Sequence, residues 1–188
     1  MTGTPGGSLP SAFSKSLSRS FPSTVFFTSG AIQDTAAIAA IAHRAGARCL
    51  VDGYQAAGQL AVDVRALDVD FYLGGGLKWL LGGTGVAFLY ARPDLLAALR
   101  PSVTGWFAHR EQFKFDPRAF EFHDDARRLE AGTPPLMPVY AQLGGLDVIE
   151  EIGVPAIRAA TAALTEDLIA GALALGLRPK VAPRREER

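Results

Sequence analysis

Neither sign of charge prevails in this sequence. Nineteen Lys and Arg balance nineteen Asp and Glu, and the formal net charge is zero. Without a positive excess the chain builds no field suited to nucleic acid or to an anionic membrane surface, so the expected partner is a small molecule or another protein. Cysteine is nearly absent too. The single Cys49 can close no internal disulfide and cannot furnish a multi-cysteine metal centre; this fits a reducing cytoplasm and leaves no metal expected. No apolar run reaches the length of a membrane span, and the N-terminus has no apolar stretch followed by a small-residue cleavage site, so neither a membrane anchor nor a secretory signal is expected. What is present is apolar mass: 48% hydrophobic residues in 188 suffice for a buried core in one domain.

Residues 1–23 are rich in Ser, Gly, Pro and Thr and show little periodicity, which predicts a disordered N-terminal arm. From Thr24 the texture changes. Val25-Phe26-Phe27 reads as a buried strand, Asp34 to Ala45 as a helix closed by Gly46, and Arg48 to Asp52 as the next strand. Strand, helix, strand in that order implies a right-handed crossover, hence an α/β fold whose mostly parallel sheet is flanked by helices. Further strands are expected at Phe71 to Leu73 and Val86 to Tyr90, then a Pro93-led helix to Leu99. After Arg100 the pattern loosens into a long segment suited to a lid, an interface arm or a linker. Helical periodicity returns from Pro138 to Glu151 and from Pro155 to Leu175, so residues 24–175 form the core and 176–188 a solvated charged tail.

Two motifs carry chemistry. Asp52 ends an apolar strand and is followed by Gly53, Tyr54 and Gln55, at the kind of strand end where α/β sheets place ligands. By itself it reads more simply as a turn or helix-capping aspartate. Lys78 sits in Gly74-Gly75-Gly76-Leu77-Lys78-Trp79-Leu80-Leu81-Gly82-Gly83-Thr84-Gly85, a lysine among glycines and apolar residues. A snorkelling loop lysine is the plain alternative. A P-loop is excluded, because Trp79 stands where Ser or Thr must follow the lysine, and a dinucleotide site would need its glycines at the first strand-to-helix turn. The backbone N–H groups of Gly74, Gly75 and Gly76 are expected to help cradle an anion.

Taken together, Val51-Asp52-Gly53-Tyr54-Gln55-Ala56-Ala57-Gly58, Asp70-Phe71 leading to Leu77-Lys78-Trp79-Leu80, Gly83-Thr84-Gly85-Val86-Ala87-Phe88-Leu89-Tyr90 and Glu130-Ala131-Gly132-Thr133-Pro134 resemble, in order and spacing, the class V aminotransferase family of pyridoxal-phosphate (PLP) enzymes, fold type I. The resemblance covers Thr24 to Leu175. It implies PLP as cofactor, a Schiff base at Lys78, Asp52 as partner of the pyridine nitrogen, and Gln55 as donor to the cofactor's phenolic oxygen. It also implies that Gly132 and Thr133 reach the phosphate held by a neighbouring subunit of a homodimer, and that the substrate is an amino acid. The chemistry requires these types: a lysine condenses with the aldehyde and then moves protons as a free amine, while a carboxylate keeps the pyridinium charged and deepens the electron sink.

Trp106 and His109, in Thr104-Gly105-Trp106-Phe107-Ala108-His109, resemble a substrate-lining segment of kynureninase-like members. That tilts the expected activity toward a kynureninase-like hydrolase, with a transaminase or a carbon-sulfur lyase of the cysteine desulfurase kind as alternatives. Cys49, in a predicted strand, is not the mobile nucleophile a desulfurase needs. Leu77 replaces the hydroxyl or imidazole residue usual before the lysine, and the family's upstream phosphate loop and downstream small domain have no counterpart. The expectation is therefore an incomplete chain, active only with parts supplied elsewhere or else a catalytically impaired remnant.

Overall fold

The computed structural model describes residues 21–181. The expected N-terminal arm lies outside the described residues except for positions 21–23, and so does most of the charged tail. Helix α1, Thr35–Arg44, starts where Asp34 accepts a hydrogen bond from the Ala37 amide (2.9 Å) and ends at Gly46 with φ +69°. The first is a side-chain N-cap and the second the left-handed C-terminal glycine expected to close the helix. Strands β1 (Leu50–Asp52), β2 (Phe71–Gly75) and β3 (Ala87–Ala91) form one sheet in that order, β1 parallel to β2 and β2 antiparallel to β3. The chain entering the domain adds a parallel bridge between Ser23 and Asp52 on the far side of β1.

The sheet sorts its side chains with a period of two. Val51 and Tyr72 pack with Ala39, Ala42, Cys49 and Val69 over α1. Phe71 and Ala91 pack on the other side with Leu95 and Leu96 of the short helix α2, Pro93–Leu96, and with Leu50 and Leu129 at their margin. Helices thus cover both faces, as the α/β reading requires. Two long helices, α3 (Leu136–Ile152) and α4 (Val154–Ala174), follow, joined at Gly153 with φ +83°. Leu164, Leu168 and Leu173 of α4 are exposed.

One element departs from expectation. Val25-Phe26-Phe27 is not a buried strand: Val25 is buried, but Phe26 and Phe27 are exposed in a turn that Gly30, at φ +67°, folds back so that Val25 bridges Ile32. Pairing with β1 goes instead to Ser23, and Thr24 is the residue that reaches the core, its hydroxyl 3.3 Å from the Tyr72 phenol.

Candidate active site

The carboxyl ends of β1 and β2 lie side by side, Asp52 in register with Leu73. The turn after β1 is then pressed against β2 and its extension at three points. A Cβ on Gly53 would stand 2.0 Å from the Tyr72 ring, one on Gly75 would stand 2.5 Å from the Tyr54 ring, and one on Gly58 would stand 2.5 Å from the Trp79 carbonyl oxygen. Only glycine permits approaches this close. The Gly58 contact joins the turn that follows Asp52 and Gln55 to the residue next to Lys78, so the two segments meet beyond the carboxyl ends of β1 and β2. Tyr54 was not singled out in the sequence; it sits between Asp52 and Gln55, and the only signal for it was the glycine at 75 that makes room for its ring.

Asp52 is half-buried, and its Oδ1 accepts from the Tyr54 amide at 2.8 Å, while Oδ2 accepts no hydrogen bond among the described residues. One oxygen thus fixes the carboxylate. Burial pushes the Tyr72 phenol above its ordinary pKa, and the nearby Asp52 charge adds to that rise against the opposing Thr24 hydroxyl. Gln55 is half-buried, its carbonyl accepting from Gln59 Nε2 at 2.6 Å. Lys78 is exposed and enters no ion pair among the described residues.

The anion cradle expected at Gly74, Gly75 and Gly76 is not there. Gly74 and Gly75 are buried strand residues, and the Gly76 amide donates to the Val86 carbonyl at 2.9 Å. Their lack of side chains serves contact instead: Phe88 lies on Gly74, Tyr54 on Gly75 and Gln142 on Gly76.

Gly132 and Thr133 are exposed just before α3. The loop bearing Trp106 and His109 meets this segment directly, since a Cβ on Gly105 would fall on the Ala131 carbonyl. Trp106, 41% exposed, stacks on Phe115 and meets Phe107 and Phe113 edge-on. Both ring nitrogens of His109 are engaged by the loop's own backbone, Nδ1 accepting from the Glu111 amide (2.8 Å) and Nε2 lying 3.2 Å from the Ala119 carbonyl. Buried Arg128 ties the loop to the core by donating to the carbonyls of His123, Leu96 and Leu99. An open pocket on this loop is lined by Phe107, Arg110, Phe113, Lys114, His123 and Glu130, and none of the sequence-predicted site residues lines it. The turn after Asp52 thus meets the Lys78 turn through Gly58 and Trp79, and the Gly132 segment meets the Trp106 loop through Ala131 and Gly105.

Asp70 belongs to the opposite end of β2. Fully buried, it accepts from the Cys49 amide (2.7 Å) and Arg48 (3.1 Å), pairs with His43 (2.9 Å) and lies 3.3 Å from Arg92. Burial alone would raise its pKa; the Cys49 amide, His43, Arg48 and Arg92 together outweigh that and hold it below the usual carboxylate range. Its role is to anchor the sheet.

A family model described as Aminotransferase class-V matches residues 23–187. The chain belongs to the class V aminotransferase family. Within it, this class V chain is 38% identical over 153 residues to the uncharacterized aminotransferase YcbU of Bacillus subtilis, covering 81% of this chain and 40% of that protein. It is 30% identical over 159 residues to a kynureninase of Pseudomonas fluorescens, covering 84% and 38%. Among solved structures it resembles the apo cysteine desulfurase of Thermococcus onnurineus with a TM-score of 0.80 and 25% identity over 89% of this chain and 41% of that one. A C-DES variant solved with glycine covalently linked to its PLP cofactor gives a TM-score of 0.71 and 28% identity over 80% and 40%. The class V chain therefore spans about two fifths of the length of these relatives.

Proposed function

We propose that this chain is the cofactor-binding part of a PLP-dependent enzyme acting on an amino acid, with Lys78 as the Schiff-base lysine and Asp52 as partner of the pyridine nitrogen. The observation that carries the reading is the close approach of Gly58 to the Trp79 backbone, which sets the Asp52 turn and the Lys78 turn on one rim. The residues present fit the ring end of the cofactor. Asp52, held through Oδ1 by the Tyr54 amide, keeps Oδ2 for a pyridinium N–H and stabilises its proton. Gln55, three residues after Asp52, would donate to the phenolic oxygen. The bound cofactor supplies an electron sink for the substrate's α-carbon. Lys78, exposed at the rim, accepts or returns the proton at that carbon when its amine is free.

The phosphate end is less complete. Leu77 offers no hydroxyl, and the Gly76 amide is already committed to Val86. Gly132 and Thr133 would reach the phosphate of a second subunit, so the reading includes a homodimer in the cytoplasm. Trp106, exposed in its aromatic cluster, keeps a kynureninase-like substrate contact in the reading, while His109 is spent on its own loop. A carbon-sulfur lyase or transaminase shares the same ring-end residues.

The chain has four lysines, Lys15, Lys78, Lys114 and Lys180, which makes the test direct. The protein is mixed with PLP, reduced with borohydride, and the modified peptides are quantified by mass spectrometry for the wild type and Lys78→Ala. Capture preferring Lys78 is expected, weak and with slow turnover, because losing two phosphate hydrogen bonds of about 1.5–3 kcal/mol each lowers affinity by roughly two to four orders of magnitude. Labelling shared evenly among the lysines, or unchanged in the variant, overturns the assignment.

A further inference from the structure

Gln142 lies on α3 and is only 8% exposed, yet it is polar and no part of the chemistry above uses it. It reaches across 62 positions into the turn that carries Lys78, where its Nε2 donates to the Leu80 carbonyl at 2.9 Å. That bond fixes the amide's orientation, since a flipped side chain would set two carbonyl oxygens against each other. Oε1 is thereby turned inward, buried and without a hydrogen-bond donor among the described residues. It lies where a Cβ on Gly76 or Gly82 would stand, 2.0 and 2.1 Å from those positions. The Gly82 amide donates to the Gly76 carbonyl at 2.9 Å, and the Leu81 amide to the Lys78 carbonyl at 3.2 Å. Residues 76–82 are therefore a small closed ring containing Lys78, with the Gln142 amide filling its base.

Space-filling is a poor account of this side chain. An unbranched apolar residue of the same length would occupy the ring without burying a carbonyl that finds no donor. The neighbours on the same face of α3 bear on the same loop: Pro138 meets Gly85, and a Cβ on Gly145 would stand 2.4 Å from the Leu80 carbonyl oxygen. Positions 138, 142 and 145 follow the i, i+4, i+7 spacing of one helical face, so α3, which begins just after Gly132 and Thr133, is keyed to the lysine turn.

We propose that Gln142 is a positioning residue for Lys78, its amide holding the ring of residues 76–82 in the one conformation that presents the Lys78 amine to the Asp52 rim. The proposal rests on the reading of Lys78 as the reactive amine. The lysine lacks a partner of its own among the described residues, so its direction is set by the ring's backbone, and Gln142 is the side chain that bonds that backbone from another element.

The test uses the full chain mixed with PLP and two readouts besides activity: the share of borohydride-fixed adduct on Lys78 relative to Lys114 and Lys180, and the pH midpoint of the visible absorbance band before reduction. Gln142→Met keeps length and removes the donor; Ile149→Ala weakens the same helix at a different buried position. For Gln142→Met the Lys78 preference should fall by about 3- to 10-fold, the effect of losing one hydrogen bond, and the midpoint should move by about half a unit to one unit. Ile149→Ala should leave both readouts at wild-type values on the folded protein. A Gln142→Met protein with wild-type preference and midpoint, or an equal change in Ile149→Ala, overturns the proposal. A wild type with no preference for Lys78 overturns instead the assignment of the lysine itself, so the two failures are distinguishable.

Discussion

Replacing Gly58 by alanine tests the contact on which the site depends. Gly58 has φ +97°, a conformation that costs an L-residue about 1–2 kcal/mol. The added Cβ would also stand 2.5 Å from the Trp79 carbonyl oxygen and 2.8 Å from its carbon, both backbone atoms that cannot swing aside. Overpacking of this kind costs about 1–3 kcal/mol. Together these give roughly 2–5 kcal/mol, a large part of the roughly 5–15 kcal/mol that holds an ordinary domain together. For a domain of this size, the loss corresponds to a fall in Tm of roughly 4–20 °C. Gly144→Ala is the matched comparison: it lies inside α3 with nothing within 4 Å of its Cβ position, and should add about 0.4–1 kcal/mol through helix propensity and a less disordered unfolded chain. Both variants are followed by urea denaturation and by PLP capture under conditions where each is folded. If Gly58→Ala lies within about 0.5 kcal/mol of wild type, a margin typical of neutral surface changes, the close approach is not real. If it is destabilised but keeps full preference for Lys78, the Asp52 turn does not bear on the lysine turn.

Acid unfolding should be steep because of Asp70. Its folded pKa is depressed, so the stability it contributes is complete above the unfolded value near 3.9 and is lost as pH falls through the lower folded value. Asp70→Asn should cost about 3 kcal/mol near neutral pH and flatten the dependence of stability on pH below 4, measured by denaturant titration at a series of pH values; an unchanged acid limb contradicts the role given to Asp70. Arg128→Lys should destabilise by about 2 kcal/mol, because a lysine cannot serve the carbonyls of His123, Leu96 and Leu99 from one planar fork. Proteolysis of the segment between residues 100 and 135 should accelerate in that variant, and a cleavage rate equal to wild type refutes the tie.

The regular elements were legible because each carried a periodic apolar pattern bounded by punctuation. Asp34 and Gly46 fixed α1, and the strands at β1, β2 and β3 followed from short apolar runs. Val25-Phe26-Phe27 misled because three adjacent apolar residues signal burial, whereas the turn at Gly30 reversed the chain before a strand could form. The order of the Asp52 and Lys78 motifs was readable, and so was the parallel pairing of the strands that carry them toward one edge of the sheet. Tyr54 and Gln142 were not readable. A glutamine on an amphipathic helix has no signature of its own, and its contact spans 62 positions. The glycines at 75, 76 and 82 did announce close approaches, but glycine says only that something comes near, never which side chain it is. That ambiguity explains why Gly75 and Gly76, together with Gly74, suggested an anion cradle.

Strand β2 is gripped by charge at one end and does its proposed work at the other. Asp70 precedes its first residue and Lys78 follows its last by three, and at about 3.3 Å per residue the five strand positions between them span roughly 17 Å. A strand fixed in this way divides the sequence into two kinds of territory. Changes near Asp70 are judged by whether the protein folds at all, and changes around residues 75 to 82 by what the rim can hold. The rim can therefore be rewritten, residue by residue, while the strand beneath it keeps its place, so that one scaffold can carry a different set of side chains at its edge without losing its footing.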